Sequence, residues 1–440
     1  MKPSYVRELK PFFKSDILEF LGNDENAFNK LRMNNIINKN DDGCYNFHYV
    51  GVIVVDKNII NVYPKYIPNQ ENIKEDFKEI LKVLTKYQKL HEDFDNQYDD
   101  FDDNYLYILS LMIFFIEDYY ENGVYYTVKD ILETNGSGEI NWDKTINYTF
   151  PLIKSNKPFY TELQTNYRIN DLFNYFKLLH EFILTRCSRC LEHFELLDIL
   201  DLTSVELSDK ILDDFGDLDF ILNKLQMELN VEYNTHKQKL LKSMYDYLSC
   251  MNSFSNEKIL AVYGTTDYEH VWEEMCSIVF DNQLDTSFVD LNLGIDRDDK
   301  LCDFIKKPKW ILDGKPYFKR TLKPDLITIV DNQFIILDAK YYNFFIENNQ
   351  LKNQPDLESI TKQYLYELAY KEIINSKELK VINAFLFPTY YAKDAKKRGF
   401  VELDIWGDFK LKKIDVLMIH AKKVNECYLE NKLMSIEFSD

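Results

Sequence analysis

Between Leu322 and Asn343 the chain reads LKPDLITIVDNQFIILDAKYYN, and no other stretch restricts its folding so tightly. Two β-branched runs flank Asp331-Asn332, a pair that tolerates the positive φ angles of a two-residue hairpin turn. With Val330 opposite Gln333, the pairing carries back residue by residue and sets Asp325 opposite Asp338. Directly opposed residues of an antiparallel pair have Cβ atoms roughly 4.5–5.5 Å apart. Both carboxylates then share one face, within reach of a single cation. Side chains alternate along a strand, which puts Lys340 on the face of Asp338 and turns Ala339 inward.

Two carboxylates so placed repel one another, and each loses hydration in a partly buried setting. A divalent metal between them relieves both costs. Mg²⁺ is held by one or two carboxylates together with waters and substrate phosphate. A lysine beside it can orient or deprotonate an attacking water and offset charge building on a phosphorane-like transition state. The chain carries a second Pro-Asp…Asp-x-Lys spacing, Pro355-Asp356 with Asp394-Ala395-Lys396, but that one sits in polar YYAKDAKKRG with no apolar strand before it. Only the first has the strand context.

At 440 residues the chain exceeds what one core usually organises, so two domains are expected. A soft boundary near Met251 to Ile259 divides it into 1–255 and 256–440. The formal charge of −20 excludes a protein that grips nucleic acid through bulk electrostatics. Any such role must rest on a partner or on local basic residues, for which Lys319, Arg320 and Lys323, just ahead of Asp325, are the candidates for phosphate contacts. Seven scattered cysteines do not form a disulfide framework, and the opening MKPSYVRELK lacks an apolar leader region, so a cytoplasmic location is expected. The most apolar window, Tyr105 to Tyr120, is too short to span a bilayer and reads as a buried helix, with no membrane association.

Upstream, SDILEFL predicts a short helix capped by Ser15 or Asp16, and the runs around Asp56-Lys57-Asn58 predict a second hairpin. Residues 71–90 have helical periodicity, and 167–248 read as almost wholly helical. The acidic run His91 to Asn104 lacks the turn glycine and terminal glutamate of a calcium loop and reads as a solvated loop. His180, Cys187, Cys190 and His193 are zinc-type donors, but four ligands along one straight helix cannot converge on one ion, so a core stripe is expected. Cys276 and Cys302 have no histidine partner that would make them nucleophiles. Trp142 is expected to be a packed core residue. No G-x-x-x-x-G-K-[ST] sequence is present, so nucleotide hydrolysis must belong to another protein.

Around the hairpin, Asp267 to Asp281 predicts an amphipathic helix carrying Glu269 and Glu273. A following helix places Gln363, Tyr366 and Tyr370 near one face, and Val381 to Pro388 reads as the next buried strand. Pro324-Asp325 with Asp338-Ala339-Lys340 resembles the PD-(D/E)xK nuclease superfamily. Together with YVGVIVVDKNIINVYPKYI, GSGEINWDKTI, HVWEEM and KQYLYELAY, it resembles the LlaJI family of restriction endonucleases, which are similar to the McrC subunits of McrBC systems.

The resemblance implies a mixed α/β (α+β) protein with an N-terminal β-hairpin and helical region and a C-terminal αβββαβ nuclease core. It implies a Mg²⁺ site, in which Mn²⁺ can substitute, formed by Asp325, Asp338 and the Ala339 carbonyl. Lys340 would position water, Glu273 (with Glu269 as competitor) would add a helix carboxylate, and Gln363 would orient the site. The implied activity is double-stranded DNA cleavage to a 5′-phosphate and a 3′-hydroxyl in an anti-phage restriction system. The implied partner is a McrB-like AAA+ NTPase engaged by the N-terminal part, and two active sites, in a dimer or larger assembly, are needed to cut both strands. The competing readings are a non-catalytic adaptor with a nuclease-like fold and a self-sufficient restriction enzyme with its specificity in residues 1–250.

Overall fold

The computed structural model describes residues 3–68, 72–91, 108–171, 173–253, 260–291, 299–313, 315–318, 321–343, 345–347, 349–391, 395–403 and 413–435. The fold is mixed α and β. It forms two compact units, residues 1–102 with 262–440, and residues 103–261. The second unit ends at residue 261. The N-terminal hundred residues, however, belong with the C-terminal part rather than with the helical region that follows them.

In the first unit β1 (Ser4–Arg7) is followed by α1 (Lys14–Phe20), α2 (Glu25–Met33) and the hairpin β2 (Ile37–Lys39) and β3 (Tyr45–Phe47). Asp16 is not the cap of α1. It sits inside the first turn, where its carboxylate accepts a hydrogen bond from the Phe13 backbone N–H at 3.1 Å. The expected hairpin is β4 (Val50–Val55) and β5 (Asn58–Tyr63), paired from Gly51↔Val62 to Val55↔Asn58, and β4 is buried throughout. Helix α3 (Ile73–Leu90) buries Phe77, Ile80, Leu81, Val83 and Leu84 and packs on both strands.

In the second unit α4 (Ile108–Asn122) is the buried apolar helix. It is followed by β6 (Val128–Thr134), β7 (Glu139–Ile140), α5 (Trp142–Tyr148), β8 (Leu152–Lys154), β9 (Lys157–Phe159) and β10 (Gln164–Asn170). Helices α6 (Tyr175–His193), α7 (Leu196–Ile199), α8 (Leu218–Val231) and α9 (Thr235–Ser253) complete the unit. Trp142, expected in a core, is 55% exposed, because α5 is a two-turn helix on a small sheet, with only Thr145 buried. His180 and Cys187 are buried, and burial holds the His180 imidazole down to about 3, its Nδ1 accepting from the Tyr125 N–H at 3.0 Å. His193 at the end of the same helix is exposed. The stripe is thus core at one end and surface at the other.

Strand β11 (Leu260–Thr265) returns the chain to the N-terminal sheet, whose order is β1-β5-β4-β11. Gly51 and Gly264 let these backbones touch: at φ 145° and 155°, a Cβ on either would lie about 2 Å from the other strand's carbonyl oxygen, 2.2 Å from Tyr263 O and 2.1 Å from Val50 O respectively. After α10 (Tyr268–Val279) come β12 (Lys309–Leu312) and β13 (Lys315–Phe318), which among the described residues pair only with each other. Then β14 (Leu326–Val330) and β15 (Gln333–Ala339) form the predicted hairpin, followed by β16 (Phe345–Glu347), β17 (Gln350–Lys352), α11 (Leu357–Ala369), α12 (Lys371–Ser376), β18 (Lys380–Thr389), β19 (Lys396–Val401), β20 (Ile414–His420) and α13 (Ala421–Leu429).

The five-stranded sheet runs β14-β15-β18-β20-β19, antiparallel at both edges and parallel from β15 through β18 to β20. Its parallel centre is apolar, as a strand covered on both faces requires. Ile327, Phe334 and Ile336 bury one face against Tyr366, Tyr370, Ile373 and Ile374. Phe334 is fully buried against Tyr370, whose ring stacks on Phe304. Truncating so packed a ring leaves a cavity. Phe334→Ala is expected to cost about 3–5 kcal/mol, read as a lower urea midpoint at unchanged slope.

Candidate active site

The pairing of β14 with β15 is the register that the turn dictates: Val330↔Gln333, Ile329↔Phe334, Thr328↔Ile335, Ile327↔Ile336 and Leu326↔Leu337. Asp331 and Asn332 take φ of 47° and 61° in the turn. One step further along, Asp325 faces the end of β15, and its Oδ2 accepts a hydrogen bond from the Ala339 N–H at 2.9 Å. Asp338 Oδ2 lies 3.0 Å from Lys340 Nζ, both side chains largely buried.

Burial pushes the Asp325 carboxyl up to about 8, helped by the neighbouring charges of Asp338 and Glu273 and a hydrogen bond with Asp338, against the opposing charge of Lys340. Near neutral pH the pair therefore tends to hold a proton. Burial works to lower the Lys340 pKa, but the charges of Asp338, Asp325 and Glu273 and the hydrogen bond to Asp338 outweigh it and hold the ammonium above its ordinary value. Lys340 is thus a fixed cation here rather than a base. Glu273, half-buried on α10, is raised chiefly by burial and feels His270, Glu269, Lys340 and Asp338. It acts on the pair through charge.

The surroundings hold this hairpin by its exposed edge and from behind. Asn282 donates to the Asp325 carbonyl at 3.1 Å and accepts from the Ile327 N–H at 3.2 Å, while Gln283 donates its N–H to Ile327 O at 2.8 Å and accepts from the Ile329 N–H at 2.9 Å. These two residues mimic a further strand along β14, which keeps its edge from pairing elsewhere. Tyr366 donates to Lys323 O at 3.0 Å, two residues before Asp325. Burial and the charges of Asp338 and Asp325 raise its pKa, so it faces the site. Gln363 is fully buried and does not reach the carboxylates: its Nε2 donates to Ile336 O and Ala384 O at 3.4 and 3.3 Å, bridging β15 to β18. Whatever it does for the site passes through the sheet.

Sequence reasoning missed a second polar cluster one residue beyond Lys340. The fully buried Tyr341 hydroxyl donates to Glu8 Oε2, which also accepts from the Lys65 N–H at 3.1 Å, and Lys65 Nζ lies 4.0 Å above the Tyr341 ring. Burial raises the Glu8 carboxyl and lowers the Lys65 ammonium, each opposed by the other's charge, and Glu269 also acts on Lys65. Glu269, the alternative helix carboxylate, thus faces the N-terminal lysine as well as Tyr342 beside Lys340. No local pattern links Glu8 to Tyr341.

The model of the LlaJI restriction endonuclease family matches residues 49–422, most of the chain. The chain belongs to the LlaJI restriction endonuclease family. It is 28% identical over 430 residues, 92% of this chain and 86% of the other, to the type II restriction enzyme BsuMI component YdjA of Bacillus subtilis (strain 168). It also aligns over 98% of its length, at 12% identity and a TM-score of 0.38, with 99% of a chain in a refined half-complex from a tetradecameric assembly of Thermococcus gammatolerans McrB AAA+ hexamers with bound McrC.

In this LlaJI-family chain Lys323 is exposed, whereas Lys319, Arg320 and Asp394 of the second Asp-x-Lys match lie outside the described residues, as does nearly all of the acidic run 91–104. Among the described residues no three His, Cys, Asp or Glu side chains are gathered as a group that could hold a metal ion. No described helix is long and apolar enough to cross a membrane.

Asp325 binds its proton more tightly in the folded chain than in the unfolded one, where a carboxyl titrates near ~3.9. Between about pH 4 and 8 the folded state carries the extra proton, so stability falls as pH rises through that window. Asp325→Asn removes this loss. In EDTA the variant should melt above wild type at pH 8, with the difference shrinking toward pH 4; equal melting temperatures at both would contradict the assignment.

Proposed function

We propose that this chain is the Mg²⁺-dependent DNA-cleaving subunit of an anti-phage restriction system, acting in the cytoplasm through a PD-(D/E)xK site. The observation that carries the reading is the convergence of Asp325, Asp338 and Lys340 at the end of one hairpin, with Asp325 driven to hold a proton. A pair of carboxylates that cannot both ionise comfortably is a donor set that a hard divalent cation relieves. Family membership supports the same chemistry. So does the order of helix, antiparallel hairpin, helix and parallel strand around the site, which fits a nuclease core of that superfamily. Among the described residues β12 and β13 pair outside the main sheet.

Asp325, Asp338 and the Ala339 carbonyl would hold Mg²⁺, or Mn²⁺ in its place. Bound there, the metal would polarise the scissile phosphate and acidify a coordinated water. Lys340, kept protonated by its acidic neighbours, orients the attacking water and offsets charge on the transition state. Glu273 holds negative charge opposite Lys340, and Gln363 sets the register of β15 against β18. Lys319, Arg320 and Lys323 contact phosphates of double-stranded DNA. The products are a 5′-phosphate and a 3′-hydroxyl.

The related BsuMI protein bears the name of a component, and the acidic chain with no P-loop suits a subunit that leaves recognition to others. The partner in this reading is a McrB-like AAA+ NTPase, and cleavage of both strands needs two copies of the site.

Plasmid cleavage with Mg²⁺ by wild type, Asp338→Ala and Lys340→Ala, with and without candidate partner subunits, tests the reading. Lys340→Ala should lose at least ~10²-fold in rate, as expected for removing a transition-state charge, while melting as a folded protein. Cutting retained by Lys340→Ala would refute its role. A Mg²⁺-dependent rise in melting temperature that Asp338→Ala abolishes is expected even where cleavage awaits the partner; absence of that rise favours a non-catalytic adaptor. Cutting by wild type alone would make the chain a self-sufficient enzyme.

A further inference from the structure

Among the described residues the hairpin of β12 and β13 has no core behind it. Its strands pair Lys309↔Phe318, Trp310↔Tyr317, Ile311↔Pro316 and Leu312↔Lys315, and every one of these residues is exposed. Trp310, Ile311, Leu312, Tyr317 and Phe318 are each more than half exposed, and alternation puts large apolar groups on both faces of the ribbon. Such a two-stranded hairpin is marginal in water by itself. Its composition also reverses that of the chain. Residues 306–323 contain seven basic side chains and one acid, Asp313, in a protein of net charge −20.

The ribbon is tied directly to the candidate site. The Thr321 hydroxyl donates to Lys306 O at 3.0 Å across its base, and Tyr366, which faces Asp325 and Asp338, holds Lys323 O. Only Pro324 then separates Lys323 from Asp325. Anything bound along the ribbon is led to the paired carboxylates.

We propose that β12 and β13 form a DNA-gripping ribbon that lies in a groove of the duplex beside the scissile phosphate. This rests on the nuclease reading above and extends it to the surface that holds the substrate. A two-stranded ribbon fits the roughly 12 Å major groove. Lys306, Lys307, Lys309 and Lys315 neutralise the flanking phosphates. Trp310 and Tyr317, directly opposed on one face of the ribbon, pack against base edges and thymine methyls, which covers their exposed apolar area. Seven basic side chains against one acid match the uniform negative charge of duplex DNA, whereas pairing this ribbon with the same ribbon of a second copy would set like charges together.

The test uses the full-length Asp338→Ala chain as a non-cutting parent and a fluorescein-labelled duplex of about 40 base pairs, read by anisotropy across roughly 50–200 mM salt. Adding Lys306→Glu, Lys309→Glu and Lys315→Glu should weaken binding at least tenfold and flatten the salt slope by about two to three, near 0.9 for each phosphate left without its lysine. Adding Trp310→Ala and Tyr317→Ala should weaken binding several-fold with the slope unchanged. All these side chains are exposed, so the variants should melt as the parent does. Unchanged affinity and slope in both variants would overturn the ribbon's role while leaving the nuclease reading standing, since that reading is judged by Lys340→Ala cleavage. Unchanged affinity together with a smaller particle in light scattering would overturn it in favour of a contact between copies. A parent with no measurable affinity for the duplex would overturn the ribbon's role together with direct DNA binding by this chain.

Discussion

Two carboxylates on adjacent strands, sheltered from water, repel each other, and the rest of the structure is arranged around that repulsion. Asp325 is held at the end of β15 by the Ala339 N–H, so it cannot swing away from Asp338 without giving up a buried hydrogen bond. Lys340 offsets part of the repulsion through its 3.0 Å contact with Asp338, and a shared proton offsets more by neutralising Asp325 near neutral pH. A purely structural hairpin end has no reason to keep this combination, because apolar replacements of similar size would remove the desolvation cost.

Placement of the pair depends on β15 lying second in its sheet. On one side it pairs antiparallel with β14, and on the other it pairs parallel with β18 over seven residues from Gln333 to Ala339. Gln363 links the carbonyls of the two parallel strands from behind, and Asn282 and Gln283 occupy the outer edge of β14. Either strand could slide by one residue only by turning Phe334 and Ile336 out of the core. The same alternation that buries those side chains orients Asp338. The geometry of the carboxylate pair and the packing of the core are thus one constraint.

This part of the molecule is legible in the sequence because its determinants are local. A two-residue turn with tolerant residues and two β-branched runs set the register of Asp325 and Asp338 whatever the rest of the chain does. The amphipathic helix carrying Glu273 and the buried strand after Gln363 follow from periodicity in the same way. What escapes is decided at long range. Glu8 and Tyr341 are 333 positions apart, and nothing in either neighbourhood advertises the other. Helical spacing shows which face Gln363 occupies but not how far along the sheet it sits, so its distance from the carboxylates is invisible before the fold is known. Residue type alone assigns Trp142 to a core, yet a seven-residue helix on a three-stranded sheet has little core to offer it. For β12 and β13, the sheet they join depends on the packing of everything else.

The long-range cluster also changes how the first hundred residues are understood. By sequence they form part of a separable N-terminal region preceding a nuclease domain. In the structure Glu8, Lys65 and Tyr341 share buried hydrogen bonds, Lys86 donates to the Tyr428 carbonyl and to Asn431 at 2.6 Å, and Tyr428 donates to Glu274 on α10 at 3.3 Å. Removing the first eight residues would leave the Tyr341 hydroxyl buried without its Glu8 acceptor one residue from Lys340, at a cost of order 1–3 kcal/mol. It would also take away the carboxylate whose charge supports a buried Lys65. Strand β15 therefore ends on a footing that the N-terminus supplies, and residues 256–440 alone would lack the Glu8 and Lys65 partners of Tyr341. The hydrogen bond from Tyr341 to Glu8 thus ties the chain just after β1 to the residue next to Lys340.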